Sequence, residues 1–236
     1  MKTIGLLGGM AWESSLEYYR IVNEEISAKL GGFHSAKCVL LSVDFYDIEV
    51  LQRHQKWDDA TKLLVEAGER LKAAGADFIV ICTNLMHRTA EAVQRATDLP
   101  LLHIADVTAA EIKARGLRTV GLLGSNFTME GDFYTKRLAE KHGLRAIIPN
   151  TEDRMAIHQA VYYELTPKTF TERTKSTFRN VIARLTEAGA EGVILGCTEI
   201  PLFILQKDFD VPLFDTTTLH AKAAAAYALG ESGFEG

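Results

Sequence analysis

The sequence predicts an α/β fold with two pseudo-symmetric lobes, each a parallel sheet flanked by helices, and an active site in the cleft between them. Three observations predict it. First, the chain matches itself: Lys2-Thr3-Ile4-Gly5-Leu6-Leu7-Gly8 echoes Arg118-Thr119-Val120-Gly121-Leu122-Leu123-Gly124, Ala74 to Ile81 echoes Ala188 to Leu195, and Leu99-Pro100-Leu101-Leu102 echoes Val211-Pro212-Leu213-Phe214, at offsets of 116, 114 and 112 residues. Matches in one order at nearly one offset mark a duplicated lobe rather than a short-period solenoid. Second, short continuous apolar runs alternate with segments of helical spacing, the pattern of parallel sheets covered on both faces. Third, 236 residues with 47% apolar content suffice for two lobes that each bury a core. The division expected is 1–105 plus 216–236 for the first lobe and 106–215 for the second.

In the first lobe, Thr3–Leu7 is an apolar strand ending in glycines, followed by a helix over Ser14–Leu30 that Ser14 or Ser15 could cap. Cys38–Phe45 reads as a strand, Asp58–Ala74 as an amphipathic helix stopped by Gly75, and Phe78–Cys82 as a buried strand. A helix to about Ala96 and a strand at Leu101–Ile104 follow. The second lobe repeats the plan with strand Val120–Leu123, helix Glu130–His142, strand Ala146–Ile148, a long helix to Ala188 interrupted near Pro167, and strand Gly192–Gly196. The last helix, Leu219–Leu229, is expected to pack back on the first lobe.

Bulk properties narrow the function. Net charge is −5 and the Lys and Arg residues are scattered, which argues against nucleic acid and anionic membrane as partners. No apolar run approaches the length of a membrane span, and the apolar N-terminal run lacks a small-x-small cleavage site. Cys38, Cys82 and Cys197 are odd in number and far apart, so a disulfide framework is not expected and a reducing cytoplasm fits. The histidines and cysteines lack metal-ligand spacing, and Gly8-Gly9 lacks the residues of a phosphate loop. No cofactor or metal is expected.

In open parallel sheets, ligands bind beyond the carboxyl ends of the strands. Those positions hold Gly8-Gly9-Met10, Cys82-Thr83-Asn84, Gly124-Ser125-Asn126 and Gly196-Cys197-Thr198-Glu199. At the 114-residue offset Thr83 matches Cys197, so these two are expected to face each other. Cys82 falls out of register, since a one-residue slip turns a side chain to the other face of a sheet. Proton carriers on opposite walls suit inversion at a carbon. A weakly acidic carbon demands a reactive thiolate and electrostatic help, for which a helix starting just after Cys197 would serve.

Gly-Gly-Met near the start, Thr83-Asn84-Leu85-Met86-His87 and Gly196-Cys197-Thr198-Glu199-Ile200 resemble the signatures of the aspartate/glutamate racemases, and the likeness runs from Thr3 to about Leu229. The resemblance implies amino-acid racemisation without pyridoxal phosphate, and a homodimer. It implies Thr83 and Cys197 as catalytic residues, with Met10, Gln52, Asn84, Leu85, Thr198 and Glu199 binding substrate. The family's first motif is usually Cys-Asn-Thr-x-His. Here Thr83 stands at the cysteine and Leu85 at the threonine. An enterobacterial subgroup shares this threonine/cysteine pair and is similar in preferring L-amino acids. Read by themselves, Cys82 packs in the sheet, His87 lies on the helix after Thr83 and either orients a site group or has a surface or capping role, and Glu199 binds the substrate ammonium, tunes Cys197 or simply favours a helix N-terminus. Alternatives are another carbon-acid enzyme of the superfamily, a hydantoin racemase or decarboxylase, and a non-catalytic amino-acid-binding protein.

Overall fold

The computed structural model describes residues 1–165, 169 and 171–231, without the side chain of Leu165. The chain forms two compact units, Met1–Ile104 together with the segment from His220, and Ala105–Leu219. The chain therefore crosses between units at 104/105 and 219/220, where the sequence suggests 105/106 and 215/216. Both crossings are made by helices rather than loops.

The first unit runs β1 (Ile4–Gly8), α1 (Trp12–Leu30), β2 (Cys38–Ser42), α2 (Phe45–Arg53), α3 (Trp57–Ala73), β3 (Phe78–Ile81), a 3-10 segment Leu85–Thr89, α4 (Ala90–Thr97) and β4 (Leu101–Leu102). Helix α5 (Ile104–Ala114) leads into the second unit: β5 (Thr119–Leu123), α6 (Asn126–Met129), α7 (Asp132–His142), β6 (Arg145–Ile147), α8 (Thr151–Ala160) with a π turn Val161–Leu165, α9 (Glu172–Glu187), β7 (Gly192–Leu195), 3-10 turns Ile200–Leu202 and Gln206–Asp208, β8 (Leu213–Asp215) and α10 (Thr216–Leu229). Each sheet has four parallel strands, ordered β2-β1-β3-β4 in one and β6-β5-β7-β8 in the other. The repeated order is the structural form of the sequence duplication.

The repeated Ala-Gly-Ala-acid segment has a mechanical reason. Gly75 and Gly189 take φ of +90° and +98° just past the C-cap residues Ala74 and Ala188 of α3 and α9, a conformation that favours glycine. Two residues on, Asp77 accepts the Thr3 N–H at 2.6 Å. Glu191 likewise accepts the Arg118 and Thr119 N–H groups at 2.8 and 2.7 Å. Each acid ties the start of one central strand to the start of its neighbour. Strands β1, β3 and β7 are buried throughout, which explains why they are apolar rather than alternating.

Several elements differ from the sequence reading. The cap of α1 is Ala11, with no side-chain cap bond, and Ser14 and Ser15 are buried in its first turn. The strand expected to reach Phe45 ends at Ser42, because Asp44 caps α2 by accepting the Tyr46 N–H at 3.0 Å. Strand β4 stops at Leu102, and Ile104 opens α5, which apolar sequence conceals. Strand β6 starts one residue early, at Arg145, helix α7 starts at Asp132, and β7 ends at Leu195 rather than Gly196. The interruption expected near Pro167 lies outside the described residues. The last helix does join the first unit: Lys2 N–H donates to Ala228 O at 2.8 Å, and Tyr227 packs edge-on against Phe78 at 4.8 Å.

Candidate active site

In the first unit the site residues follow the carboxyl ends of β1 and β3. The Gly8-Gly9 turn is specified sterically. A Cβ on Gly8 would collide with Ser15 Oγ, and one on Gly9, whose φ is +93°, would run into the Val43 backbone. Ser15 Oγ accepts the Gly9 N–H at 2.8 Å, so a buried serine fixes the turn that delivers Met10. Met10 itself is buried. Gln52 lies on α2, which follows β2, and its Nε2 donates to Met86 Sδ at 3.3 Å.

Thr83 stands two residues beyond β3 and is half-buried. Cys82 N–H donates to Leu7 O at 2.9 Å, which continues the ladder without a bulge, and the Cys82 side chain is fully buried. Burial pushes its thiol far up. Asn84 and Leu85 are also buried. His87 is buried rather than on the surface: its Nδ1 lies 2.7 Å from Thr83 O, and its Nε2 accepts the Ile104 N–H at 3.2 Å.

In the second unit Cys197 stands two residues beyond β7, the position Thr83 holds after β3. Gly196 N–H donates to Leu123 O at 2.6 Å. A Cβ on Gly124 would lie 2.9 Å from Gly196 O, so the glycine pair lets the two strand ends close up beside Cys197. Cys197 Sγ donates to Glu199 Oε2 at 2.8 Å, and Thr198 Oγ1 donates to the same oxygen at 2.9 Å. Burial and then the Glu199 carboxylate hold the Cys197 thiol well above its ordinary range.

This corrects the helix expected to start just after Cys197. The segment after Cys197 is a three-residue 3-10 turn, Ile200–Leu202, which has no aligned peptide dipoles comparable to a helix. The neighbouring charge is negative and favours the protonated thiol, and that carboxylate is in hydrogen-bonding contact with the sulfur. Of the roles read for Glu199, its contacts with Cys197 Sγ and Thr198 Oγ1 match the tuning of Cys197. Sequence reasoning missed Ser15 and the interior place of His87. The motif position of His87 was a signal for the second, whereas Ser15 was marked only as a possible helix cap and not as the partner of the Gly9 N–H. Among the described residues no group of three or more His, Cys, Asp or Glu side chains could hold a metal ion.

A duplicated parallel α/β scaffold carries a threonine hydroxyl and a thiol at matching strand ends, the thiol in contact with a carboxylate, an arrangement suited to carbon-acid chemistry. The Asp/Glu/Hydantoin racemase family model matches residues 7–224, and the chain belongs to that family. A candidate Asp/Glu racemase from Yersinia pestis is 50% identical and superposes with a TM-score of 0.92, covering 97% of this chain and 100% of that one. An aspartate racemase homologue from Pyrococcus horikoshii is 35% identical with a TM-score of 0.83, over 97% of this chain and 100% of that one. The broad specificity amino-acid racemase RacX of Bacillus subtilis is 24% identical over 72% of each chain. The protein is an isomerase, an amino-acid racemase of the kind that works without pyridoxal phosphate.

Proposed function

We propose that Cys197 and Thr83 exchange protons at the α-carbon of an L-amino acid from opposite faces. Met10, Gln52, Asn84, Leu85, Thr198 and Glu199 form the surroundings of the substrate. The observation that carries this reading is the shared register: each residue stands two positions beyond the end of the corresponding strand in two sheets of the same order. The Cys197–Glu199 contact supplies the chemistry. The Sγ proton moves to Glu199, the thiolate takes the α-proton and becomes a thiol again, Thr83 donates its proton to the other face, and Glu199 releases its proton to solvent water, which returns one proton to the Thr83 oxygen. Starting from the D-enantiomer, the threonine oxygen must act as the base, which its hydroxyl does poorly near neutral pH. At equilibrium the enantiomers are equal in amount, so kcat/KM is the same in both directions and the asymmetry appears as unequal kcat and KM values.

The likeness to aspartate and glutamate racemases suggests acidic amino acids as substrates, and the likeness to the broad specificity racemase of Bacillus subtilis supports a wider set. A cytoplasmic setting is supported by three free cysteines. No helix among the described residues is long and apolar enough to cross a membrane. A homodimer is supported by Trp12, Leu16 and Tyr19, which lie exposed along one face of α1. Leu16→Glu should then shift the sedimentation coefficient to that of a monomer.

The test of the chemistry is α-proton exchange in deuterated water, followed by NMR and chiral chromatography, across a panel of L- and D-amino acids without added pyridoxal phosphate. Exchange from an L-substrate should fall by at least about 10³-fold in Cys197→Ala. Exchange that survives the substitution would remove Cys197 as the base. No exchange from any amino acid, with proton incorporation into a decarboxylated malonate or a hydantoin, would move the reading to those superfamily chemistries. Tight amino-acid binding with no exchange would leave a binding protein.

A further inference from the structure

We propose that His87 is a positioning residue for Thr83, acting through a single fixed tautomer. The proposal rests on the reading of Thr83 as the proton carrier for one face of the substrate. His87 Nε2 accepts the Ile104 N–H, so that nitrogen carries a lone pair and the ring proton sits on Nδ1. Nδ1–H then donates to Thr83 O at 2.7 Å. The imidazole thus links the first residue of α5 to the peptide that follows Thr83. Because the peptide is planar, holding its carbonyl sets the plane on which Thr83 Cα is mounted, and with it the direction of the hydroxyl.

A second imidazole keeps the link in register. His220, on α10, donates from Nε2 to Leu102 O at 2.8 Å and faces Tyr18 OH across 2.7 Å at Nδ1. Leu102 and Ile104 flank His103, so two rings grip the end of β4 on either side of that residue. The His87 ring packs 4.7 Å from His103 and 5.3 Å from His220, centroid to centroid. All three histidines are buried, and Tyr18 is buried with them. The Tyr18–His220–Leu102 contacts therefore hold the place from which the Ile104 N–H addresses His87.

Two neutral substitutions separate this role from simple packing. Asn places an amide nitrogen near Nδ1, so His87→Asn keeps a donor to Thr83 O and gives up the acceptor for Ile104. Gln reaches to Nε2, so His87→Gln keeps the acceptor and gives up the donor. In deuterated water, two rates are read for each variant on the L-substrate that the wild type uses: α-proton wash-out, which reports Cys197, and appearance of the D-enantiomer, which requires Thr83. His87→Gln should lower D-enantiomer formation by about 10- to 100-fold while wash-out stays within about threefold. His87→Asn should keep both within about threefold to fivefold of wild type. Parallel loss of both rates in the two variants, or a His87→Gln that inverts as well as His87→Asn, overturns the proposal and leaves the Cys197/Thr83 assignment standing. Wild-type protein that washes out no α-proton removes that assignment, and this proposal falls with it. Thermal melts of both variants accompany the rates, and loss of both rates together with loss of the melting transition counts as a packing role and against the proposal.

Discussion

At the scale of single residues, the pair Cys197–Glu199 decides how the thiol is used. The 2.8 Å contact puts a carboxylate where a thiolate would form, and both burial and that charge favour the protonated thiol. Glu199→Gln keeps the volume and removes the charge. The sign follows directly: without the anion the thiolate is penalised by burial alone, so the Cys197 pKa falls relative to wild type. Site-resolved alkylation against pH should show Cys197 reacting at lower pH in the variant. Racemisation should nonetheless fall by about 10²-fold, because an amide cannot receive the Sγ proton. A variant that is as active as wild type would assign Glu199 to substrate contact or to structure instead. The thiols of Cys82 and Cys38 are both held up by burial, and fully buried Cys82 should stay unlabelled throughout.

At the scale of elements, the Gly8-Gly9 turn shows how tightly a strand end must be specified to deliver one side chain. Gly9→Ala places a Cβ against the Val43 backbone at a φ of +93°. The expected cost is about 3 kcal/mol of stability, read as a lower Tm, with KM raised more than kcat lowered, since Met10 is displaced. An alanine variant with unchanged Tm would mean that this turn relaxes freely. The strands bearing the site were legible in the sequence because parallel strands are buried on both faces and read as bare apolar runs between glycines. Helices α2 and α5 were not. The apolar residues before Asp44 extended the strand reading past the cap, although Asp44 and the spacing of Ile48 to Gln52 carried a helix signal. In α5, Ile104, Ala105, Val107, Ala109 and Ile112 are all buried, and a helix covered on most sides shows no amphipathic period. The thiol's ionisation was not legible in the sequence for a related reason. It depends on a three-dimensional contact two residues downstream and on a helix that turned out to be a single 3-10 turn.

At the scale of the whole molecule, the two copies keep one strand order but carry different buried ionisable groups, and acid should therefore act on them at different pH. In the first unit, burial and the neighbouring His87 lower the His220 pKa to about 3. Its ordinary value is about 6.5. The unfolded chain thus binds a proton that the folded chain refuses, and stability fully present above about pH 6.5 drains away as the pH falls toward 3, on the order of 5 kcal/mol when complete. In the second unit Asp106 is different. Burial raises its pKa, but bonds from Arg137, His142 and Lys141 at 2.6 to 2.8 Å more than offset this, and the net value lies well below the usual carboxylate range. That contribution is complete above the unfolded carboxylate pKa, about 4, and begins to be lost only below it. Both tryptophans, Trp12 and Trp57, belong to the first unit, so fluorescence reports it alone while far-ultraviolet ellipticity reports both. In moderate urea, the fluorescence transition should begin between pH 6 and 4, before most of the ellipticity is lost. His220→Gln should flatten the dependence of stability on pH in that window and leave the loss below pH 4 in place. Coincident fluorescence and ellipticity transitions would show that the two copies unfold as one body, with the histidine's acid sensitivity shared by the whole chain.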